Sequence, residues 1–283
     1  MSGLSVSDHR RDRAGMTYVY PVLSRRSGGV SLGINLNPNH ACNWRCLYCQ
    51  VENLQRGSAP VTDLQQLEAE LRELLAQIAC GDFYDRHGVV PAQRRLCDLA
   101  ISGNGEPTSA AAFPQVVALI GRVLGDVALP GAASLRRVLI SNGSHVLDAA
   151  IAQALMAWAQ QGGELWFKLD GVAEADVARI NSVHTQRELA ARRLMAALEV
   201  VPTWVQTCHF LLDGQAAMSQ PQAWWQLLGS FASHPNFRGV LLYGPARPSN
   251  QPEAGRISAP SLEALEALAL PLREQGITVQ ITP

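Results

Sequence analysis

Lysine is almost missing from this chain. Of 23 basic residues, only Lys168 is a lysine, and the rest are arginines. Net charge is missing too, because 23 basic against 24 acidic residues leave −1. A chain so close to neutral carries no global field for nucleic acid or an acidic membrane. The local pairs Arg25-Arg26, Arg94-Arg95, Arg136-Arg137 and Arg192-Arg193 read as solvated ends of helices or strands. No apolar run approaches the roughly 18 residues that mark a membrane span, so none is expected. Arg10, Arg11, Asp12 and Arg13 put charge where a signal peptide would be apolar, and a cytoplasmic protein is the expectation. Six cysteines in 283 residues are too few for a disulfide scaffold. With 47% hydrophobic and 17% charged residues, the chain has ample material for a full core.

After a polar leader over residues 1–17, expected to be flexible, short apolar runs alternate with helical patterns through 18–283. Strands are predicted at Leu32–Leu36, Leu96–Ser102, Arg137–Ser141, Leu165–Leu169, Trp204–Leu212 and Gly239–Tyr243, with a short last one at Ile277–Ile281. Helices are predicted at Thr62–Cys80, Phe113–Leu124, Val146–Gln160, Gln186–Glu199, Pro221–Phe231 and Leu262–Gln275. Such alternation without a low-complexity linker implies one α/β domain with a parallel sheet and right-handed crossovers. An open doubly wound sheet and a full or partial βα barrel both satisfy it. Both put function at the C-terminal ends of the strands.

Directly after the first of these strands, Cys42, Cys46 and Cys49 stand in a C-x3-C-x2-C spacing inside Asn37–Gln50. Three thiolates on one loop can hold a single inorganic centre. An iron–sulfur cluster is one reading. A structural zinc site with His40 as fourth ligand is another, and three unligated cysteines are a third. The second strand is followed by Ser102-Gly103-Asn104-Gly105-Glu106-Pro107-Thr108, which is no dinucleotide fingerprint and also reads as an ordinary Gly/Pro turn. The third leads into Ser141-Asn142-Gly143-Ser144, which a helix N-cap also explains. At the fourth, strand alternation places Lys168 and Asp170 on one face, toward a barrel interior, as a ligand contact or a simple ion pair. The fifth carries Gln206, a candidate polar contact, while Cys208 and His209 read as core residues. After the sixth, the Pro-rich segment from Pro245 to Pro260 is a candidate lid, with Arg247 suited to a carboxylate or phosphate.

The cysteine loop, with aromatic Tyr48 just before its third cysteine, resembles the signature of radical S-adenosylmethionine (SAM) enzymes. That resemblance implies a partial (β/α)6 TIM-like barrel. It implies that Cys42, Cys46 and Cys49 hold a [4Fe–4S] cluster whose fourth iron chelates SAM, and that reductive cleavage yields a 5′-deoxyadenosyl radical. The Gly103–Glu106 segment is similar to the family's Gly-Gly-Glu stretch. On that reading Tyr48, Gly103, Asn104, Gly105, Glu106, Ser141, Asn142 and Gln206 contact SAM, and Lys168, Asp170 and Arg247 serve catalysis or substrate. A finer resemblance, over Tyr20–Arg26, Ser31–Leu36 and the motifs above, is to the branch of wyosine-type tRNA-modifying synthases and their uncharacterised bacterial relatives. That branch holds a second cluster on cysteines upstream of the radical loop. Here no cysteine precedes Cys42, and Cys80, Cys97 and Cys208 are scattered. With the chain near neutral, a small molecule or peptide is the expected substrate, and tRNA docked on Arg25, Arg26, Arg136 and Arg137 is the alternative. No flavodoxin-like segment is present, so an external flavodoxin or ferredoxin is the expected electron donor. A non-enzymatic metal-binding scaffold is the reading from another class.

Overall fold

Asp63 decides where the first long helix begins. Its Oδ1 accepts from the Gln65 and Gln66 amides at 3.0 Å each, an N-cap of the ordinary kind. Helix α1 then runs Leu64–Cys80, and Gly81, at φ 89°, ends it. Leu67, Leu71, Leu74, Leu75 and Ile78 form its buried stripe, on the helical spacing read from the sequence.

The computed structural model describes residues 15–24, 28–131 and 134–283. Most of the leader, together with Arg25 and Arg26, lies outside the described residues. Eight strands form one sheet: β1 Val19–Ser24, β2 Gly29–Ile34, β3 Leu96–Ile101, β4 Arg136–Ser141, β5 Gly163–Lys168, β6 Thr203–Cys208, β7 Phe237–Tyr243 and β8 Val279–Thr282. They stand in chain order across the sheet. Only β1 is antiparallel, against β2, and β2 to β8 are parallel. The connecting helices are α1, α2 Asp82–Arg86, α3 Phe113–Asp126, α4 Ala149–Gln160, α5 Glu174–Asn181, α6 Arg187–Val200, α7 Pro221–Gly229 and α8 Leu262–Glu274. Tyr20 and Val22 on one edge strand line the same cavity as Thr282 on the other, so the sheet curls around a single interior. This is the partial TIM-like barrel. Among the described residues, no helix is long and apolar enough to cross a membrane.

Each predicted strand and helix is present within a few residues. Strand β1 and helices α2 and α5 are additional. Strand β1 contains Pro21, which weakens a strand pattern, but proline is tolerated at an edge where its missing N–H faces no partner. Helix α5 is eight residues long and buries Asp176 and Asn181 alongside Val177 and Ile180, so its inward face is not apolar in sequence.

Alternation along the parallel strands sorts the two faces of the sheet. Leu165 and Phe167 of β5 pack under the helices, at 0% and 2% exposure. Trp166 and Lys168 face the interior, as do Ala100, Val138, Ile140 and Gln206 of neighbouring strands. They leave a cavity of about 700 Å³.

Candidate functional site

Cys42, Cys46 and Cys49 all open onto that cavity at the C-terminal rim of the barrel. None is in a disulfide and each is partly buried. Burial pushes the Cys42 and Cys46 thiols up to about 12. Taking up a metal therefore means displacing protons from these sulfurs. Polar hydrogens already point at them. The Trp44 amide lies 3.4 Å from Cys42 Sγ, and Asn181 Nδ2 lies 3.2 Å from Cys46 Sγ. Among the described residues, no three His, Cys, Asp or Glu side chains stand together as ligands of one ion. His40 donates from Nδ1 to the Glu52 carbonyl at 2.7 Å. Of the scattered cysteines, Cys208 lines the cavity, while Cys80 is exposed at the end of α1.

The loop is held from three sides. On one, the end of α5 grips it: the Arg45 amide donates to the Asn181 carbonyl at 3.1 Å and the Leu47 amide to the Ile180 carbonyl at 2.9 Å. Ser182 Oγ also donates to the Arg45 carbonyl at 2.9 Å, and Arg56 bridges the Asn43 and Ser182 carbonyls. On the second side lies the Pro-rich segment after β7, expected as a lid. The structure ties it to the cysteine loop instead. Ser249 Oγ donates to the Leu47 and Cys49 carbonyls at 2.6 and 3.0 Å, the Asn250 amide to the Cys49 carbonyl at 2.9 Å, and Arg45 makes a two-pronged ion pair with Glu253 at 2.8 and 2.9 Å. A segment spent on backbone bonds of this number is a strap rather than a mobile cover.

The third side is the Gly103–Glu106 turn, and here close contact explains the glycines. A Cβ on Gly105 would lie 2.0 Å from the Ala41 carbonyl oxygen, and one on Gly103 would lie 2.2 Å from Asn35 Oδ1. Asn35 Oδ1 in turn accepts from the Asn104 amide at 3.0 Å. Glu106 is 2% exposed. Its Oε1 accepts from the Thr108 amide (3.1 Å), Thr108 Oγ1 (2.6 Å) and Ser141 Oγ (2.7 Å), while Oε2 accepts from the Asn142 amide (2.7 Å). Asn142 Nδ2 then reaches Asn43 Oδ1 in the cysteine loop at 2.8 Å, and Asn43 Nδ2 reaches Ser144 Oγ at 2.7 Å. The turns after β3 and β4 and the cysteine loop are thus one hydrogen-bonded unit. Gly103, Asn104, Gly105, Glu106 and Asn142 line the cavity. Ser141 does not. Its hydroxyl turns to Glu106, because the last residue of β4 points away from the interior face. Asn43, with no distinguishing signal in the sequence, is the link.

Lys168 also faces the cavity, with 16% of its side chain exposed. Its Nζ donates to Tyr243 Oη at 3.1 Å and lies 4.9 Å from the centre of the Tyr48 ring. Burial works against its charge, but Asp170, with Oδ1 3.9 Å away, more than offsets that and holds its pKa above the usual lysine range. The ammonium form is the favoured one. Asp170 itself is not on the cavity wall, which corrects the expectation of a shared face. Strand β5 ends at Lys168, and past that point alternation no longer governs direction. The Asp170 side chain, fully buried, accepts from the Cys208 amide (2.9 Å), Asn181 Nδ2 (2.8 Å) and Tyr48 Oη. Tyr48 and Gln206 line the cavity. Arg247 does too, and its carbonyl accepts from Gln50 Nε2 at 3.1 Å. Tyr243, at the end of β7, had no distinguishing signal in sequence beyond its place at a strand's C-terminal end.

The donor set fits an iron–sulfur centre. Three thiols outside any disulfide share one rim, N–H groups face two of the sulfurs, and a lysine ammonium, a carboxylate and a guanidinium stand around the same space.

No protein-family model matches the chain, and no curated protein does. Solved structures do match in fold. SuiB from Streptococcus suis, bound to precursor peptide SuiA, has a TM-score of 0.59 at 11% identity, over 90% of this chain and 48% of that one. A radical SAM methyltransferase from Sphaerobacter thermophilus has a TM-score of 0.58 at 15% identity, over 93% and 68%. TYW1 with a lysine–pyruvate adduct bound has a TM-score of 0.53 at 14% identity, over 86% and 73%. The chain spans about half the length of the SuiB chain it matches. What these solved structures share with this chain is the fold, a partial TIM-like barrel.

Proposed function

We propose that the chain is a radical SAM enzyme acting on a small molecule or peptide, through a single barrel domain over residues 18–283. The observation that carries this is the meeting of Cys42, Cys46 and Cys49 with Gly105, Glu106 and Lys168 around one cavity at the C-terminal rim. In this reading the three thiolates hold a [4Fe–4S] cluster. The chemistry that cluster and SAM supply together is one-electron cleavage followed by hydrogen abstraction from substrate, with the electron delivered by a flavodoxin or ferredoxin.

The chain's own residues do the positioning. Glu106 Oε2 carries one bond where Oε1 carries three, so it retains a lone pair for the SAM ammonium. Gly103, Asn104 and Gln206 supply the neighbouring polar wall. Tyr48, buried and held by Asp170, keeps its phenol proton because burial raises its pKa well above the ordinary value. The Lys168 ammonium offers a fixed positive charge to a carboxylate of cofactor or substrate. Arg247 offers a second at the rim. Asp170, Ser141 and Asn142 act through the residues they hold.

A compact ligand suits a walled cavity better than tRNA does. Two of the arginines that an RNA-docking face would use, Arg136 and Arg137, are engaged within the fold. Arg136 lies 3.7 Å from Asp98 and 5.9 Å from the centre of the Trp166 ring, and Arg137 donates to the Gln161 carbonyl.

Anaerobic reconstitution with iron, sulfide, dithionite and SAM tests the proposal. The expected outcome is the visible absorbance of a cluster and release of 5′-deoxyadenosine, both lost in Cys42→Ala, Cys46→Ala or Cys49→Ala. Stoichiometric zinc without iron would instead support the structural-zinc alternative. Release of 5′-deoxyadenosine that requires total tRNA, with binding that falls steeply with salt, would overturn the substrate assignment.

A further inference from the structure

We propose that Asn181 is a positioning residue that donates a hydrogen bond to the Cys46 thiolate and thereby raises the reduction potential of the cluster. The inference rests on the reading of Cys42, Cys46 and Cys49 as cluster ligands.

Asn181 is the last residue of α5 and is 1% exposed. Its Nδ2 lies 3.2 Å from Cys46 Sγ and 2.8 Å from Asp170 Oδ2. The chemistry of these neighbours fixes which end of the amide faces them. A carboxylate oxygen only accepts, and so does a thiolate, so the group between them must be the NH₂ with its two hydrogens. One hydrogen is held by Asp170 and the other is aimed at sulfur.

Neither partner is free to drift. Asp170 is anchored by the Cys208 amide at 2.9 Å and by Tyr48 Oη. Cys46 is flanked by the two backbone bonds from Arg45 and Leu47 to the end of α5, at 3.1 and 2.9 Å. The N–H to sulfur geometry is therefore built in before any cluster arrives. Asn181 does not line the main cavity, so a change there acts on the sulfur without altering the cavity wall. By contrast, the hydrogen facing Cys42 comes from the Trp44 backbone, which no side-chain substitution removes.

Reduction adds one electron to the cluster, and part of that charge resides on its sulfur ligands. A hydrogen-bond donor stabilises the more negative state more, and it does so strongly in a buried, weakly screened site. Loss of the donor should disfavour reduction about tenfold, which for one electron lowers the midpoint by about 59 mV.

The experiment compares wild type, Asn181→Leu and Asn181→His by iron and sulfide content and by redox titration followed by electron paramagnetic resonance. Leucine keeps the volume and removes the donor, while histidine restores a ring N–H. The expected result is equal iron in all three, a midpoint about 59 mV lower in Asn181→Leu, and recovery of most of that shift in Asn181→His. Equal midpoints in wild type and Asn181→Leu, with iron intact, would overturn the proposal and leave Asn181 with a purely structural role. If Asn181→Leu fails to assemble, Asn181→Ala is measured against the same criterion, since alanine has no side-chain donor. A wild-type protein that binds no iron would refute the reading of the cysteines, a failure distinct from that of Asn181.

Discussion

At the scale of single residues, buried carboxylates organise the rim. Glu106 collects four protein donors, and Asp170 collects three. A buried carboxylate is tolerable only when its lone pairs are answered in this way. In Glu106→Gln, one acceptor oxygen becomes an NH₂ facing N–H and O–H groups that need an acceptor. The expected cost is about 1–3 kcal/mol, read as a lower midpoint in urea denaturation. Because the same carboxylate anchors Asn142, and through it Asn43, the cysteine loop should also loosen. Hydrogen exchange of the Asn43 and Trp44 amides would show it. An unchanged urea midpoint would mean that Glu106 is not part of the brace.

Among the elements, glycines make the sharpest contrast. Gly105 and Gly125 look alike in sequence, but the space around them differs. The Gly105 position meets the Ala41 carbonyl at 2.0 Å, whereas nothing lies within 4 Å of a Cβ on Gly125 in α3. Gly105→Ala should push the turn after β3 off the cysteine loop and lower the iron retained after reconstitution. Gly125→Ala should stabilise the protein by about 0.5–1 kcal/mol through helix propensity. Thermal melts and iron content of the two variants, side by side, check both statements. Helix α5 and the Pro-rich strap show the same dependence on neighbours. The strap's Arg45–Glu253 ion pair is partly exposed, at 32% and 21%, so its contribution to global stability is small. What it contributes is the position of the loop.

For the molecule as a whole, acid should be destabilising through a residue outside the cysteine rim. His209 is 6% exposed, its Nδ1 has no hydrogen-bond partner, and burial lowers its pKa from the ordinary 6.5. Above 6.5 the ring is neutral both folded and unfolded, and its contribution is fully present. As pH falls from there toward the folded-state pKa, only the unfolded chain takes up the proton, so stability is lost. Urea midpoints at pH 7 and pH 5 should fall more in wild type than in His209→Leu. Equal falls would assign the acid sensitivity to other groups.

The order of strands and helices was legible in the sequence because apolar periodicity is a local property, and burial under the helices requires it wherever a parallel strand lies. The cysteine spacing, the glycine turn and solitary Lys168 were legible for a similar reason, since each sits immediately after an apolar run. The sequence by itself therefore determined the α/β alternation and which loops follow the strands at the cavity end. Tertiary structure decided the rest. It decided that Pro21 lies on an edge strand, and that Asp170 turns beneath Tyr48 instead of into the cavity. It decided that Asn181, 135 residues from Cys46, donates to that cysteine's sulfur. These contacts join positions far apart in the chain and involve short polar residues with no period. They arise only when a curved sheet brings the ends of its strands to one rim, where a buried polar group must find its partner in whichever segment the fold has placed beside it.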